Sequence, residues 1–245
     1  MTTASGPAPA GDPPPEAQAA ATGDASPAAQ ATAAEVEAAV AERTIFFSDA
    51  VVAIAITLLA LALPLPTGIH NIDMLKSLQA DGDAYIAFLI SFVVIGNHWS
   101  AHRRLFRYVD RLDKFVMQLN MVWLLTMVLT PFATRLVSGS GALGIRFTIY
   151  AGVQAVAGLC LLLMTLEVRR GQLLRPGAPE YIGSDRIRGL IVIIAMFVIS
   201  IPISFATPYA YLCWVAIPLV MRIQGRLFPA RPGPGADPGR PAGDL

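Results

Sequence analysis

The apolar residues of this chain gather into blocks of about 20, the length a helix needs to cross a hydrocarbon layer roughly 30 Å thick. The blocks fall near residues 44–65, 84–99, 114–136, 143–168, 187–206 and 208–224. Lipid offers no water to satisfy backbone N–H and C=O groups, so a spanning segment must be a helix or part of a closed barrel. Unbroken apolar runs without alternation read as helices. The fold expected is all-α integral membrane, with six transmembrane helices per subunit. Of the 245 residues, 55% are hydrophobic and 14% charged, against about 25% charged in a soluble domain. Pro64, Pro66 and Gly68 stop the first block. The second continues as a polar helix to residue 106. The last two meet at Thr207-Pro208, a connection short enough for a helical hairpin.

These blocks define a transmembrane domain over residues 43–228, flanked by two tails. Residues 1–42 are rich in Ala, Pro, Gly, Ser, Thr and Gln, hold six acidic residues and no Lys or Arg, and are expected to be disordered. Their Ala-rich end, 35–42, is able to extend the first helix outward. The segment has neither a basic start nor an apolar core, so it does not read as a signal peptide. Residues 229–245 are a second disordered tail, rich in Pro and Gly. With an internal N-terminus, all of the 18 Lys and Arg except Lys76, Arg135 and Arg146 lie at the inner ends of spans. The positive-inside rule then places both termini in the cytoplasm. The loop 67–83, with Asp73, Asp81 and Asp83, is external. A net charge of +1 gives no field for nucleic acid, and none is expected as a partner. Cys160 and Cys213 lie inside apolar blocks and read as packing residues, not as a disulfide.

Chemistry-bearing residues concentrate where the first two spans begin and end. Asp49 lies inside the first span, where a carboxylate is costly and normally marks a partner or a pathway. At about 100° per residue, Ile54, Leu58 and Leu61 share one stripe, and Asp49 points about 140° away from Ile54. Ala50, Ala53, Thr57 and Ala60 form an adjacent stripe of small side chains that lets helices approach. An aliphatic stripe in a membrane helix ordinarily faces lipid or the core. The second span ends in Asn97-His98-Trp99-Ser100-Ala101-His102-Arg103-Arg104. His98 and His102, four apart, have a spacing that can hold a metal, with Asp49 as the nearest third ligand. The reading preferred is no metal and no cofactor, with both histidines bonded to the polar cluster of the first helix. Arg103, Arg104 and Arg107 read as anchors on the inner side. In the third span Asn120 should face other helices and Pro131 should bend or end the helix. Gly144, Gly152 and Gly158 permit close packing in the fourth. No nucleophile and base, phosphate loop, HExxH or CxxC is present, so an enzyme is not expected.

Arg43-x-x-x-Phe47-Ser48-Asp49, continued by Ala50-Val51 and Ala53-Ile54-Ala55-Ile56-Thr57-Leu58-Leu59, resembles the transmembrane protein 175 family of potassium-permeable channels. Trp99-x-x-His102 with Leu105-Phe106, and Pro131-Phe132-x-Thr134, also fit that family, and the likeness spans about residues 43–135. The layout is similar to the bacterial six-helix branch. The resemblance implies a homotetramer in a bacterial plasma membrane, with four copies of the first helix around a pore. It places the pore constriction on Ile54, Leu58 and Leu61, with Thr57 as a polar contact beside the path. It also implies a network joining the first two helices through Arg43, Ser48, Asp49, Trp99 and His102. The family commonly has a second histidine after His102, where this chain has Arg103, so a titratable group becomes a fixed cation.

The function expected is therefore a potassium-permeable cation channel of modest selectivity, also passing other monovalent cations, gated where apolar rings dewet. A proton-coupled transporter using Asp49 and the histidines of the second helix is the alternative. A membrane scaffold or enzyme subunit without transport is a third reading.

Overall fold

The computed structural model describes residues 26–109, 111–171, 173–174 and 184–227. The tail 229–245 lies outside them, as do residues 1–25. Every regular element among the described residues is helical. Helix α1 runs Pro27–Leu61, α2 Asn71–Ala80, α3 Gly82–Phe106, α4 Lys114–Ser138, α5 Leu143–Arg170 and α6 Ser184–Ala206. A 3-10 turn at Pro208–Tyr211 then leads into α7, Leu212–Val215, and α8, Ile217–Leu227. Five helices are long and apolar enough to cross a membrane, over Glu35–Leu61, Gly82–Phe106, Lys114–Ser138, Leu143–Arg170 and Arg186–Ala206.

Helix α1 has 35 residues and so extends about 52 Å at 1.5 Å per residue, well beyond the hydrocarbon layer. The stretch 27–42, assigned from composition to a disordered tail, is helical. Alanine has the highest helix propensity, and Ser26-Pro27 offers a capping residue followed by proline at the first helical position. The turn at Ala62 and the prolines 64 and 66 end the helix. The following segment carries helix α2, which has no buried residue, in place of the plain loop expected. It is held by Tyr85, whose hydroxyl donates to the Pro64 carbonyl at 2.7 Å, and by Thr67 N–H, which donates to Ser77 Oγ at 3.1 Å.

The helices pack in sequence, α4 on α5 and α5 on α6, with α1 laid against α3 and α4. Helix α4 starts where Asp113 accepts from Val116 N–H at 2.7 Å, an N-cap. It passes through Pro131 and continues to Ser138, although proline removes one helical donor. Hydroxyls of Thr130 and Thr134 donate to the carbonyls of Thr126 and Thr130, at 2.8 Å each, and neither reaches the Met127 carbonyl, which loses its helical donor at the proline. Gly144 and Gly158 allow close approach, since a Cβ there would lie 2.6 Å from the Phe205 ring and 2.9 Å from Ile194. Gly152 does not, because nothing lies within 4 Å of such a Cβ.

The sixth apolar block is not one straight helix. Pro208 starts the 3-10 turn and Pro218 is the second residue of α8, and each lacks the N–H that a continuous helix would need. Trp214 anchors this broken segment. Its Nε1–H donates to Ser200 Oγ at 2.9 Å, and its ring packs against Phe147 and Tyr150 with centroids 4.3 and 4.8 Å away. Cys160 and Cys213 are both free thiols.

Two contacts place three polar segments at the same end of the bundle. Arg111 lies 3.9 Å from Glu37, and the backbone of Val109 bridges to Leu174. Both ion-pair partners are about half exposed, so the pair contributes little energy but marks where the start of α1 lies. The basic connections after α3 and α5 therefore share one end, as the charge pattern requires.

Candidate functional site

Helix α1 divides lengthwise. Ala41, Thr44, Ser48, Val52, Ala55 and Leu59 are buried, spaced three or four apart as one helical face requires. The opposite face is left largely uncovered by the described residues. Ile54 is 58%, Leu58 45% and Leu61 81% exposed. The small stripe of Ala50, Ala53, Thr57 and Ala60 is exposed as well. No helix among the described residues approaches that stripe; α3 and α4 pack instead on the Ser48–Leu59 face. The aliphatic stripe is thus not core. Thr57 lies among these exposed residues, and its hydroxyl donates to the Ile54 carbonyl at 2.8 Å, leaving only oxygen lone pairs facing outward. Leu58 and Leu61 border an open groove of about 730 Å³ against Val128, Pro131 and Phe132 of α4.

The buried face carries the polar residues. Trp99 Nε1–H donates to Asp49 Oδ1 at 2.8 Å, so the intramembrane carboxylate is held by α3. One turn away, Asn120 of α4 joins two helices at once. Its Nδ2 donates to Ser48 Oγ at 3.0 Å, and its Oδ1 lies 2.9 Å from His102 Nε2. Ser48 in turn donates to the Thr44 carbonyl at 2.8 Å. The His102 ring stacks on Trp123 at 4.3 Å with planes 9° apart, and on Phe106 at 4.2 Å. Such stacking and bonding fix the imidazole from three sides. Arg103 is exposed, its guanidinium 5.0 Å over the Trp99 ring in a cation–π contact.

Of the five residues expected in this network, Ser48, Asp49, Trp99 and His102 lie in it. Arg43 does not. It is exposed, because five residues before Ser48 corresponds to a rotation of about 140° around the helix, away from the buried face. The two histidines also part company. His102 reaches the helix-1 cluster through Asn120, whereas His98, although buried, has no hydrogen bond to it and borders a cleft beside α6. No group of three His, Cys, Asp or Glu that could hold a metal occurs among the described residues. Asn120 is the residue whose role sequence reasoning underrated. An amide in a membrane helix signalled an interhelical contact, but nothing local identified both of its partners.

Comparison with known proteins bears on the same region. The family model described as endosomal/lysosomal potassium channel TMEM175 matches residues 43–131. A protein of Streptomyces collinus named a potassium channel is 38% identical over 92 residues, which is 38% of this chain and 45% of the relative. A Chamaesiphon minutus protein, also named a potassium channel, is 37% identical over 94 residues, 38% of this chain and 46% of that protein. The chain therefore matches less than half the length of these curated relatives. A crystal structure titled as a lysosomal potassium-selective channel TMEM175 homolog from Chamaesiphon minutus superimposes with a TM-score of 0.61 at 24% identity. The alignment covers 77% of this chain and 97% of that one. The shared fold thus extends past the segment in which sequence similarity is strong.

Proposed function

We propose that the chain, whose residues 43–131 match the TMEM175 family model, is a potassium-permeable cation channel whose pore is lined by α1. The observation that carries this reading is the division of α1 into two faces. One is tied to α3 and α4 by buried polar bonds; the other presents Ile54, Leu58 and Leu61 unpacked beside a stripe of small residues. A lone subunit gains nothing from that second face. In a homotetramer, cyclic symmetry turns each of its aliphatic residues into a fourfold ring, and the small stripe lets neighbouring helices come close enough to form it. An apolar ring conducts only while wide enough to stay wet, so it gates by dewetting, and without a cage of oxygens its selectivity is modest. Thr57 offers lone pairs to a passing potassium or other monovalent cation. The basic end of the bundle faces the cytoplasm, with both termini on that side, in a bacterial plasma membrane.

The polar network acts as a brace. The Asp49 carboxylate is engaged by Trp99 and His102 by Asn120, so these groups hold α1 at a fixed rotation. This favours a channel over a proton-coupled carrier, in which they would have to exchange partners. The test is flux from liposomes loaded with potassium or sodium, comparing wild type with Ile54→Ala and Ile54→Asn. Both substitutions should raise flux, the asparagine more, since it wets the ring. Unchanged flux in both would remove Ile54 from the path. Loss of all pH-driven flux in Asp49→Asn, with gradient-driven flux absent in wild type, would favour the carrier.

A further inference from the structure

Away from α1, helices α3 and α6 leave an apolar cleft of about 370 Å³ between them, also lined by Leu161 and Trp214. It continues through Ala101, Leu190 and Ile193, which border both spaces, into a second one of about 380 Å³. That second space is bordered by Arg104 and by Arg186, whose guanidinium also donates to the Ala101 carbonyl, and no Asp or Glu among the described residues lines either part. His98 faces the apolar part. Its side chain is buried, 6% exposed, and it has no hydrogen-bond partner among the described residues. A buried imidazole N–H beside an open cleft is costly unless an acceptor enters from the cleft.

The depth of these groups matches one bilayer leaflet. Arg104 and His98 are six residues apart on α3, about 9 Å along the axis, and His98 to Leu89 adds about 13 Å. Half of a hydrocarbon layer roughly 30 Å thick is about 15 Å. A molecule with a negative head at Arg104 and Arg186, an acceptor about 9 Å further in, and an apolar chain of about 13 Å would meet each feature in order.

We propose that this cleft holds one anionic phospholipid per subunit. The phosphate lies between Arg104 and Arg186, an ester carbonyl accepts from His98, and one acyl chain lies along Ile193 and Leu89. Basic residues at the end of a cleft between membrane helices are the recognised means of holding such headgroups. The lipid wedges α6 against α3 at the basic end, on the side of α3 away from the pore-lining helix.

The full chain, exchanged into micelles holding equal phosphatidylglycerol and phosphatidylcholine, tests this by native mass spectrometry. Wild type should retain one phosphatidylglycerol per subunit in preference to phosphatidylcholine. Arg104→Gln, at an exposed position where folding is not at risk, should reduce that preference about fivefold, the factor expected for one basic residue near a lipid surface. Ile193→Trp should abolish retention of both lipids, and His98→Phe should weaken both without changing the preference. Glycerol 3-phosphate, which has the head but no chain, should not displace the lipid. Equal preference in wild type and Arg104→Gln, or unchanged retention in Ile193→Trp, would overturn the proposal. Displacement by glycerol 3-phosphate would overturn the seating of the chain. No retained lipid, together with an altered oligomer mass in Ile193→Trp, would assign the cleft to a second copy of this chain.

Discussion

Asn120→Ala should be among the most damaging single substitutions in the bundle, and its cost can be worked from its neighbours. The amide is fully buried, 0% exposed, and joins Ser48 at 3.0 Å to His102 at 2.9 Å. Interhelical hydrogen bonds in membrane proteins average about 0.6 kcal/mol each, so losing two costs about 1.2 kcal/mol. The larger part comes from what is left behind. His102 Nδ1 has no partner among the described residues, so Asn120 satisfies the one ring nitrogen that is bonded. Its removal orphans the imidazole, at about 1–3 kcal/mol. Ser48 suffers less, since it still donates to Thr44. The total expected is about 2–4 kcal/mol. His102→Phe alone leaves the Asn120 oxygen orphaned and should cost about 1–3 kcal/mol. The double variant removes both partners together and should cost about 1–2 kcal/mol less than the sum of the singles. Reversible unfolding in mixed micelles with rising dodecyl sulfate, followed by tryptophan fluorescence, measures all three. Trp123 stacked on His102 makes the signal local. Additivity within about 0.5 kcal/mol would refute the argument that these two residues satisfy each other.

Two further substitutions test neighbouring parts of the same reasoning. Trp99→Phe keeps the ring but removes the donor to Asp49, and should destabilise by about 1–2 kcal/mol in the same assay. That is less than the full value of a bond to a charged group, because Asp49 is only partly buried. Asp49→Asn keeps an acceptor for Trp99 and should cost less than half as much; equal losses would mean the bond itself is unimportant. Gly68→Ala would place a Cβ 2.5 Å from the backbone nitrogen of Met74, which a flexible side chain cannot relieve. It should lower stability by about 1–3 kcal/mol and speed proteolysis between α1 and α3, and an unchanged cleavage rate would show that the loop has another conformation open to it.

Much of this arrangement was legible before any coordinate. The five membrane-length helices follow from block length and the impossibility of an unsatisfied backbone in lipid. Ile54, Leu58 and Leu61 fall on one stripe by helical geometry alone. Less legible were the features that depend on neighbours. Composition read 27–42 as a tail, although alanine and a Ser-Pro start are also what a helix uses. The connection after the first span hid the short helix α2, which no apolar periodicity announces. The sixth block was apolar enough to span but carried two prolines, and their missing donors decided its shape.

His98 and His102 show where local reasoning stops. Four residues apart, they differ by only about 40° around the helix and by about 6 Å along it, so a sequence treats them as one site. In the fold, one is gripped by α4 and the other borders a cleft toward α6. The sequence by itself determined the helices, their polarity and the two faces of α1, because these are set by residue spacing within a single element. Tertiary structure alone decided that Asn120 joins Ser48 to His102, that Arg43 stands apart from them, and which face of α1 the other described helices leave uncovered. Those outcomes depend on the relative rotation of packed helices, and that rotation is settled by contacts between residues about 70 positions apart in the chain.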